Sequence, residues 1–224
     1  MKKHIVDTIT LTSLSLAVLS IIESCNFNFL ISSFLILSCF ILDALDGTIA
    51  RYFKVDSTQG KHLDSLSDMT AFGIAPGILM YNFIYYEFNT TLAYLALLIP
   101  ICTAIRIANY NDETKEMEHF QGLASPASAL LFLSIPIIQV FEKNNMIIKL
   151  INNAVVISIL IIFTSILLIM KFKSFHLRID KFQNNKRKLF FIFFSISILF
   201  IFKYTGIPIV ILSYVILSIT KTIN

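Results

Sequence analysis

The chain has 224 residues, of which 56% are hydrophobic and only 14% are charged. About a quarter of the residues in an ordinary soluble domain are charged, so this composition excludes such a domain and indicates an integral membrane protein. A membrane-spanning helix uses about 20 apolar residues, which leaves no room for a separate soluble catalytic domain. Any chemistry must therefore be carried by the helices and by the short loops between them.

Hydropathy predicts an all-α polytopic bundle of eight membrane-spanning helices. Their predicted ranges are 8–23, 29–50, 65–86, 91–109, 123–141, 146–170, 189–202 and 206–220. The last two ranges are short and are separated by the segment Lys203 to Gly206, so a single re-entrant hairpin is the alternative for them.

The basic residues predict which side of the membrane each loop occupies. With the N-terminus inside, 15 of the 18 Lys and Arg residues fall on the cytoplasmic side, as the positive-inside rule requires. Seven of them lie between Lys171 and Lys188. We interpret this segment as a topology determinant with an added attraction for anionic lipid headgroups. Most of the net charge of +4 is then explained without a nucleic-acid partner.

Four aspartates are concentrated where the second and third predicted helices meet: Asp43, Asp46, Asp64 and Asp68. Spacings of three and four residues put each pair on one face of its helix. A loop of about a dozen residues would let the two helices pack antiparallel and bring all four carboxylates together.

The energetic cost of these acids indicates bound cations. An Asp at the bilayer centre costs about +2.5 to +3.5 kcal/mol on insertion scales, and Arg51 is the one base among the fixed positions of the motif. A site built only from carboxylates favours Mg²⁺, Mn²⁺ or Ca²⁺ over zinc. Two such ions would balance four carboxylates, and two-metal sites commonly serve displacement at phosphorus.

Small residues and an arginine accompany the acids. Gly47, Ala50 and Gly60 allow a ligand to approach the backbone, and the guanidinium of Arg51 can bind phosphate. Helix packing through small residues is the alternative for any single glycine. The complete pattern D-x2-D-G-x2-A-R-x8-G-x3-D-x3-D favours a phosphate-rich ligand.

This pattern resembles the signature of the CDP-alcohol phosphatidyltransferases, and every fixed position of that signature is present. The resemblance implies a six-helix core over residues 1–170, a basic cytoplasmic loop over 171–188 and two additional transmembrane helices over 189–224. It also implies a homodimer and two bound divalent cations, with Asp68 as catalytic base. The implied metal ligands are Asp43, Asp46, Asp64 and Asp68.

The resemblance further implies a site for the CDP-linked lipid. Members of the family often carry a P-N-x-x-T stretch near the nucleotide, where this chain has only Asp7 to Thr12. The implied CDP-lipid-binding residues are Gly47, Ala50, Arg51, Gly60 and Thr10.

Three flanking stretches resemble the phosphatidylserine synthase branch of the family: Gly60 to Pro76, Arg106 to Asn111 and Phe120 to Ser128. The branch pattern R-x-A-R-F-N reads Asn109-Tyr110 in place of R-F here, and Ala124 replaces a proline of the third stretch. The resemblance implies phosphatidyl transfer from CDP-diacylglycerol or CDP-archaeol to L-serine, with release of CMP, at the cytoplasmic face of the cell membrane.

A serine pocket needs a cation for the carboxylate of the amino acid, and Arg106 is the one basic residue within the third to fifth predicted helices. Asn111 and Ser125 are the expected polar partners. The alternative for Arg106 is that it snorkels to the interface or pairs with Asp112 or Glu113. The acidic run Asp112 to Glu118 is expected to be a solvated loop, with a lid role as the alternative.

Other functions remain open at this point. A glycerol-phosphate or inositol-phosphate acceptor would use the same reaction type, although a phosphate pocket would want more bases than this side of the chain offers. A cation transporter could also place acids in the membrane, but it would not need G-x2-A-R or Gly60.

Overall fold

The computed structural model describes residues 2–53, 57–112, 120–170, 173–174 and 186–219. Within these ranges the chain is helical apart from turns and one pair of two-residue strands, which confirms the predicted all-α bundle. The α-helices are α1 (Lys2–Cys25), α2 (Phe29–Phe53), α3 (Thr58–Met69), α4 (Ala75–Phe88), α5 (Leu98–Asp112), α6 (Ser125–Phe141), α7 (Asn145–Ile151), α8 (Ala154–Ile169), α9 (Lys186–Phe202) and α10 (Gly206–Ile219). The strands are β1 (Phe120–Gln121) and β2 (Lys173–Ser174).

Several helical segments in the described ranges are long and apolar enough to cross a membrane. Four qualify alone: His4–Cys25, Phe29–Phe53, Thr91–Asn111 and Phe193–Ser218. The pair α7 and α8, which is bent by 68°, qualifies together as a fifth candidate. The chain is therefore a multi-pass membrane protein, while the count of eight crossings stays a prediction.

Helix α1 packs against most of the other helices in the N-terminal half of the bundle. It packs against α2, α3 and α4, whereas α2 and α3 have little direct contact with each other. Helix α1 therefore helps to hold the two carboxylate-bearing helices together, and their expected antiparallel packing stays a prediction. The connection is shorter than expected, since α2 ends at Phe53 and α3 begins at Thr58.

A π-helical turn, Thr70–Ile74, joins α3 to α4 without a break in the helix. Helix α5, preceded by a 3₁₀ turn at Thr91–Leu97, packs along this joint. Two glycines permit the close approach: a Cβ on Gly73 would lie 3.0 Å from Cγ2 of Thr103, and one on Gly77 would lie 2.7 Å from Cδ of Pro100. Side chains of the π-helical turn, α4 and α6 lie in the core of the bundle, where Phe72, Phe83 and Phe132 are almost fully buried.

The C-terminal helices α9 and α10 form a hairpin. A 3₁₀ turn at Lys203–Thr205 reverses the chain, and the aromatic rings of Phe191 and Tyr214 approach to 6.2 Å between centroids. A Cβ on Gly206 would lie only 3.0 Å from the carbonyl oxygen of Ile198. The turn Lys203–Thr205 therefore separates two short helices that pack against each other, and the choice between two crossings and one re-entrant hairpin stays a prediction.

The two strands connect the entry of α6 to the exit of α8. Residues 120 and 121 pair antiparallel with residues 174 and 173. Gly122 follows with a φ of 76°, where a Cβ would lie 2.7 Å from the carbonyl oxygen of Met170. Residues 113–119, most of the predicted acidic lid, and most of the predicted basic loop 171–188 lie outside the described residues.

Candidate metal and nucleotide site

Three of the four predicted aspartates form one cluster. The carboxylate oxygens of Asp43, Asp64 and Asp68 lie within 4.8 Å of one another. Asp43 comes from α2, and the other two occupy one face of α3 because they are four residues apart. Bringing this much negative charge together is unfavourable without cations, so the donor set fits the hard divalent ions predicted from the sequence.

The fourth aspartate, Asp46, lies beside this cluster and has its own partner. Its side chain is only 5% exposed, and its Oδ2 accepts a hydrogen bond of 2.9 Å from Oγ1 of Thr10 on α1. Asp46 shares a cleft with Asp64, which is also a member of the three-aspartate cluster. Asp64 thus connects the cluster to the cleft.

The cleft is open and has a volume of about 180 Å³. Its walls come from the N-terminal part of α1, the C-terminal part of α2 and the start of α3. The lining residues are Val6, Asp7, Thr10, Asp46, Gly47, Ala50, Ser57, Gly60, Lys61 and Asp64.

The two motif glycines serve this cleft in different ways. At Gly47 an added Cβ would meet no atom within 4 Å, so the missing side chain leaves open space for a ligand. At Gly60 an added Cβ would lie 2.8 Å from Oγ of Ser57. That hydroxyl caps α3 by accepting a 3.0 Å hydrogen bond from the Gly60 N–H, so glycine allows the cap to sit against the cleft.

Most of the predicted CDP-lipid residues lie on this cleft. Thr10, Gly47, Ala50 and Gly60 are among its lining residues. Arg51 is exposed on α2 outside the lining, and its Nη2 donates a 3.4 Å hydrogen bond to Oγ1 of Thr48.

The predicted serine-binding residues are spread over two helices. Arg106 is 8% exposed and lies one turn beyond Thr103 on the buried side of α5. Asn111, near the end of the same helix, donates a 3.1 Å hydrogen bond from Nδ2 to Oγ of Ser65, which is next to Asp64 on α3. Ser125 is buried at the first position of α6. Helix α5 therefore extends from the π-helical turn to the neighbourhood of the aspartates.

The site matches a known family over most of the chain. A family model described as CDP-alcohol phosphatidyltransferase matches residues 3–166. This chain belongs to the CDP-alcohol phosphatidyltransferase family. The match begins at α1 and ends within α8, so it includes all four aspartates and every residue that lines the cleft.

Named relatives of this chain include bacterial and archaeal proteins. A CDP-diacylglycerol–serine O-phosphatidyltransferase of Helicobacter pylori is 35% identical over 124 residues, covering 54% of this chain and 52% of the relative. The chain thus spans about half the length of that relative. One of the same name from Methanocaldococcus jannaschii is 34% identical over 171 residues, covering 75% of this chain and 72% of the relative. An archaetidylserine synthase of Methanothermobacter thermautotrophicus is 32% identical over 130 residues, covering 57% and 55%.

Several polar residues of the site were not predicted from the sequence. Asp7 and Lys61 line the cleft, and Ser67 is 4% exposed between the two aspartates of α3. Ser57 could have been found, because a serine just before a helical stretch is a common N-cap. Asp7 lies three residues before Thr10, on the same face of α1, so the position of Thr10 was a signal for it.

Proposed function

We propose that this protein transfers a phosphatidyl or archaetidyl group from a CDP-linked lipid to the hydroxyl of L-serine, with release of CMP. The observation that carries the proposal is the meeting of Asp43, Asp64 and Asp68 from two helices, with carboxylate oxygens within 4.8 Å. The family match and the printed names of the relatives support the donor and the acceptor.

Asp43, Asp46, Asp64 and Asp68 would hold two divalent cations, Mg²⁺ or Mn²⁺, with Ca²⁺ as a further option. When bound, such cations neutralise a diphosphate and polarise its P–O bonds. The cleft next to the aspartates would receive the nucleotide, since Gly47 leaves open space there and Ala50 adds little bulk. Arg51, exposed on the same helix, would contact the diphosphate or the headgroup region.

Asp68 would act as the base of the reaction. Its carboxylate accepts the proton of the serine hydroxyl while the serine oxygen bonds to the phosphorus that carries the lipid. The bond from that phosphorus to the bridging oxygen breaks, and CMP leaves with the electron pair. Asp68 is half-buried within the three-aspartate cluster, so positioning of the hydroxyl and compensation of charge account for much of the rate.

The acceptor would bind near the end of α5. Arg106 offers a guanidinium for the serine carboxylate, and it is buried on the face of α5 that packs against the π-helical turn just after Asp68. Asn111 is held beside α3 by its hydrogen bond to Ser65. Ser125 at the start of α6 would complete the polar contacts.

We place the active site at the cytoplasmic face of the cell membrane, as the distribution of basic residues predicts. The homodimer implied by the family resemblance remains part of the proposal, and chemical crosslinking of the protein in membranes would test it. CDP-diacylglycerol and CDP-archaeol are both retained as donors, because relatives with either kind of name align to this chain.

An acceptor screen tests the proposed function directly. Purified protein is incubated with labelled CDP-diacylglycerol or CDP-archaeol, Mg²⁺ or Mn²⁺, and one of serine, glycerol phosphate or inositol phosphate. We expect CMP release and a labelled lipid product with serine, and loss of both when EDTA is added. Product formed with another acceptor instead of serine would refute the acceptor assignment. Metal transport without CMP release would favour a cation transporter.

A further inference from the structure

The aspartates of α2 and α3 form one site although, in the part of the chain that the structure describes, α2 has few backbone contacts with α3 itself. Both helices pack against α1. The separation of Asp43 and Asp46 from Asp64 and Asp68 therefore depends on how α1 holds its two neighbours.

Two hydrogen bonds at Thr10 connect these helices through α1. The Thr10 hydroxyl donates to Oδ2 of Asp46 on α2, with a distance of 2.9 Å between Oγ1 and Oδ2. The carbonyl oxygen of Thr10 accepts a hydrogen bond of 3.3 Å from Oγ of Ser67 on α3. All three residues are at most 5% exposed. We call this pair of hydrogen bonds the Thr10 link.

The Thr10 hydroxyl already donates its proton within the protein, so it is not available as a donor to a nucleotide. A hydroxyl carries one proton, and the oxygens placed to receive that of Thr10 are Oδ2 of Asp46 and, at 3.2 Å, the carbonyl oxygen of Val6. The hydroxyl can still accept a hydrogen bond, but it cannot donate one to a phosphate without leaving Asp46. The hydroxyl therefore orients the Asp46 carboxylate.

We propose that Thr10 and Ser67 are positioning residues. Thr10 would hold the Asp46 carboxylate, and the two residues together would fix the spacing of the aspartates on α2 and α3. This proposal rests on the divalent-cation site proposed above. Hydrogen-bond partners of metal ligands commonly set metal affinity in this way, because they fix the orientation of the ligand before the ion binds. Thr10 then acts through Asp46 and not by direct contact with the CDP-linked lipid.

Binding of Mn²⁺ to the full-length protein in nanodiscs, followed by electron paramagnetic resonance without any lipid substrate, tests the proposal. Thr10→Val removes the hydroxyl with almost no change in shape, and we expect about tenfold weaker Mn²⁺ binding. Thr10→Ser keeps the hydroxyl and should restore most of the affinity. Thr12→Val is the matched control, since Thr12 is exposed and its hydroxyl donates to the carbonyl oxygen of Thr8 on its own helix.

Unchanged Mn²⁺ affinity in a folded Thr10→Val variant would overturn the proposal, and weaker binding of the CDP-linked lipid in that variant would make Thr10 a ligand contact. If Thr10→Val does not fold, Ser67→Ala serves as the second test. We expect about threefold weaker Mn²⁺ binding from the loss of one hydrogen bond. A Mn²⁺ affinity equal to that of the wild type would contradict a positioning role for the Thr10 link. Failure of the wild-type protein to bind Mn²⁺ would remove the proposed metal site itself. That result differs from a variant that binds as well as the wild type.

Discussion

Helix α1 makes polar contacts near both of its ends, and the two sets of contacts are built differently. Near the N-terminus, Thr10 donates to the carboxylate of Asp46 at the edge of an open cleft. Ten residues further on, about 15 Å along the helix, the Ser20 hydroxyl lies 2.8 Å from that of Ser32 and 3.0 Å from the Ser32 carbonyl oxygen. Both serines are fully buried. The carboxylate end leaves charge for a ligand to neutralise, whereas the serine end satisfies its own polar groups.

The largest expected effect is at the carboxylate end. Asp68→Asn should lower CMP release with serine by about 10³-fold, because the amide cannot accept the serine proton. CDP-lipid binding should fall only modestly, since the cleft is lined by other residues. Glu23→Gln is the control at the serine end of α1, where Glu23 accepts a hydrogen bond from Asn28. Wild-type turnover in Asp68→Asn would rule out Asp68 as the base.

A bulky side chain at Gly47 should weaken binding of the CDP-linked lipid without lowering the stability of the protein. Gly47→Leu places its side chain in the open cleft, so we expect the KM for the CDP-linked lipid to rise by about tenfold or more, with an unchanged melting temperature. Gly77→Ala is the contrasting variant, since its Cβ would lie 2.7 Å from Cδ of Pro100 in the core and should lower stability. A melting temperature that falls in Gly47→Leu would show that the position is packed and not open.

The acceptor side gives a smaller and more selective effect. Arg106→Ala should raise the serine KM by roughly tenfold, because a hydrogen-bonded charge is lost from the pocket, and leave the KM of the CDP-linked lipid unchanged. Steady-state kinetics with each substrate varied in turn measure both constants. An unchanged serine dependence would reject the acceptor role of Arg106.

The smallest effect is expected at the serine end. Ser20→Ala removes one buried hydroxyl and should lower the free energy of unfolding by about 1 kcal/mol. Because the pair with Ser32 is far from the cleft, Mn²⁺ affinity and turnover should stay at wild-type values. Thermal melts compared with Mn²⁺ titrations would check this, and weaker Mn²⁺ binding in Ser20→Ala would contradict the division between the two ends.

The sequence predicted the members of the site better than their arrangement. The aspartates and small residues could be named because their spacing on a helix is a local property, and their cost in a membrane requires a partner. The role of Ser67 could not be predicted, because it depends on which helix lies next to which. The packing of α1 against both α2 and α3 is such a tertiary feature.

The fold shows the same division between local and tertiary information. Apolar ranges gave the helices of the bundle, but the start of the third predicted helix was placed too late, at residue 65. Gly60 was read only as a small ligand-site residue, while Ser57 in fact caps a helix that begins at Thr58. The π-helical turn and the 68° bend between α7 and α8 had no signal in the hydropathy, which reports apolar content and not hydrogen-bond register.

The π-helical turn Thr70–Ile74 sets the rotation about the helix axis between the aspartates of α3 and the buried side chains of α4. Each residue of an α-helix advances the side-chain direction by about 100°, and a π-helical turn holds one residue more than an α-helical turn. Deleting Ala71 would let α3 and α4 join as a regular α-helix while rotating Asp64 and Asp68 by about that angle away from Asp43. Such a deletion should fold around the same α4 core yet lose Mn²⁺ binding, and retained binding would show that the phase is not needed. The one extra residue of the π-helical turn thus lets α3 direct its aspartates to the site while α4 directs its apolar side chains to the core, which a regular α-helix would not do.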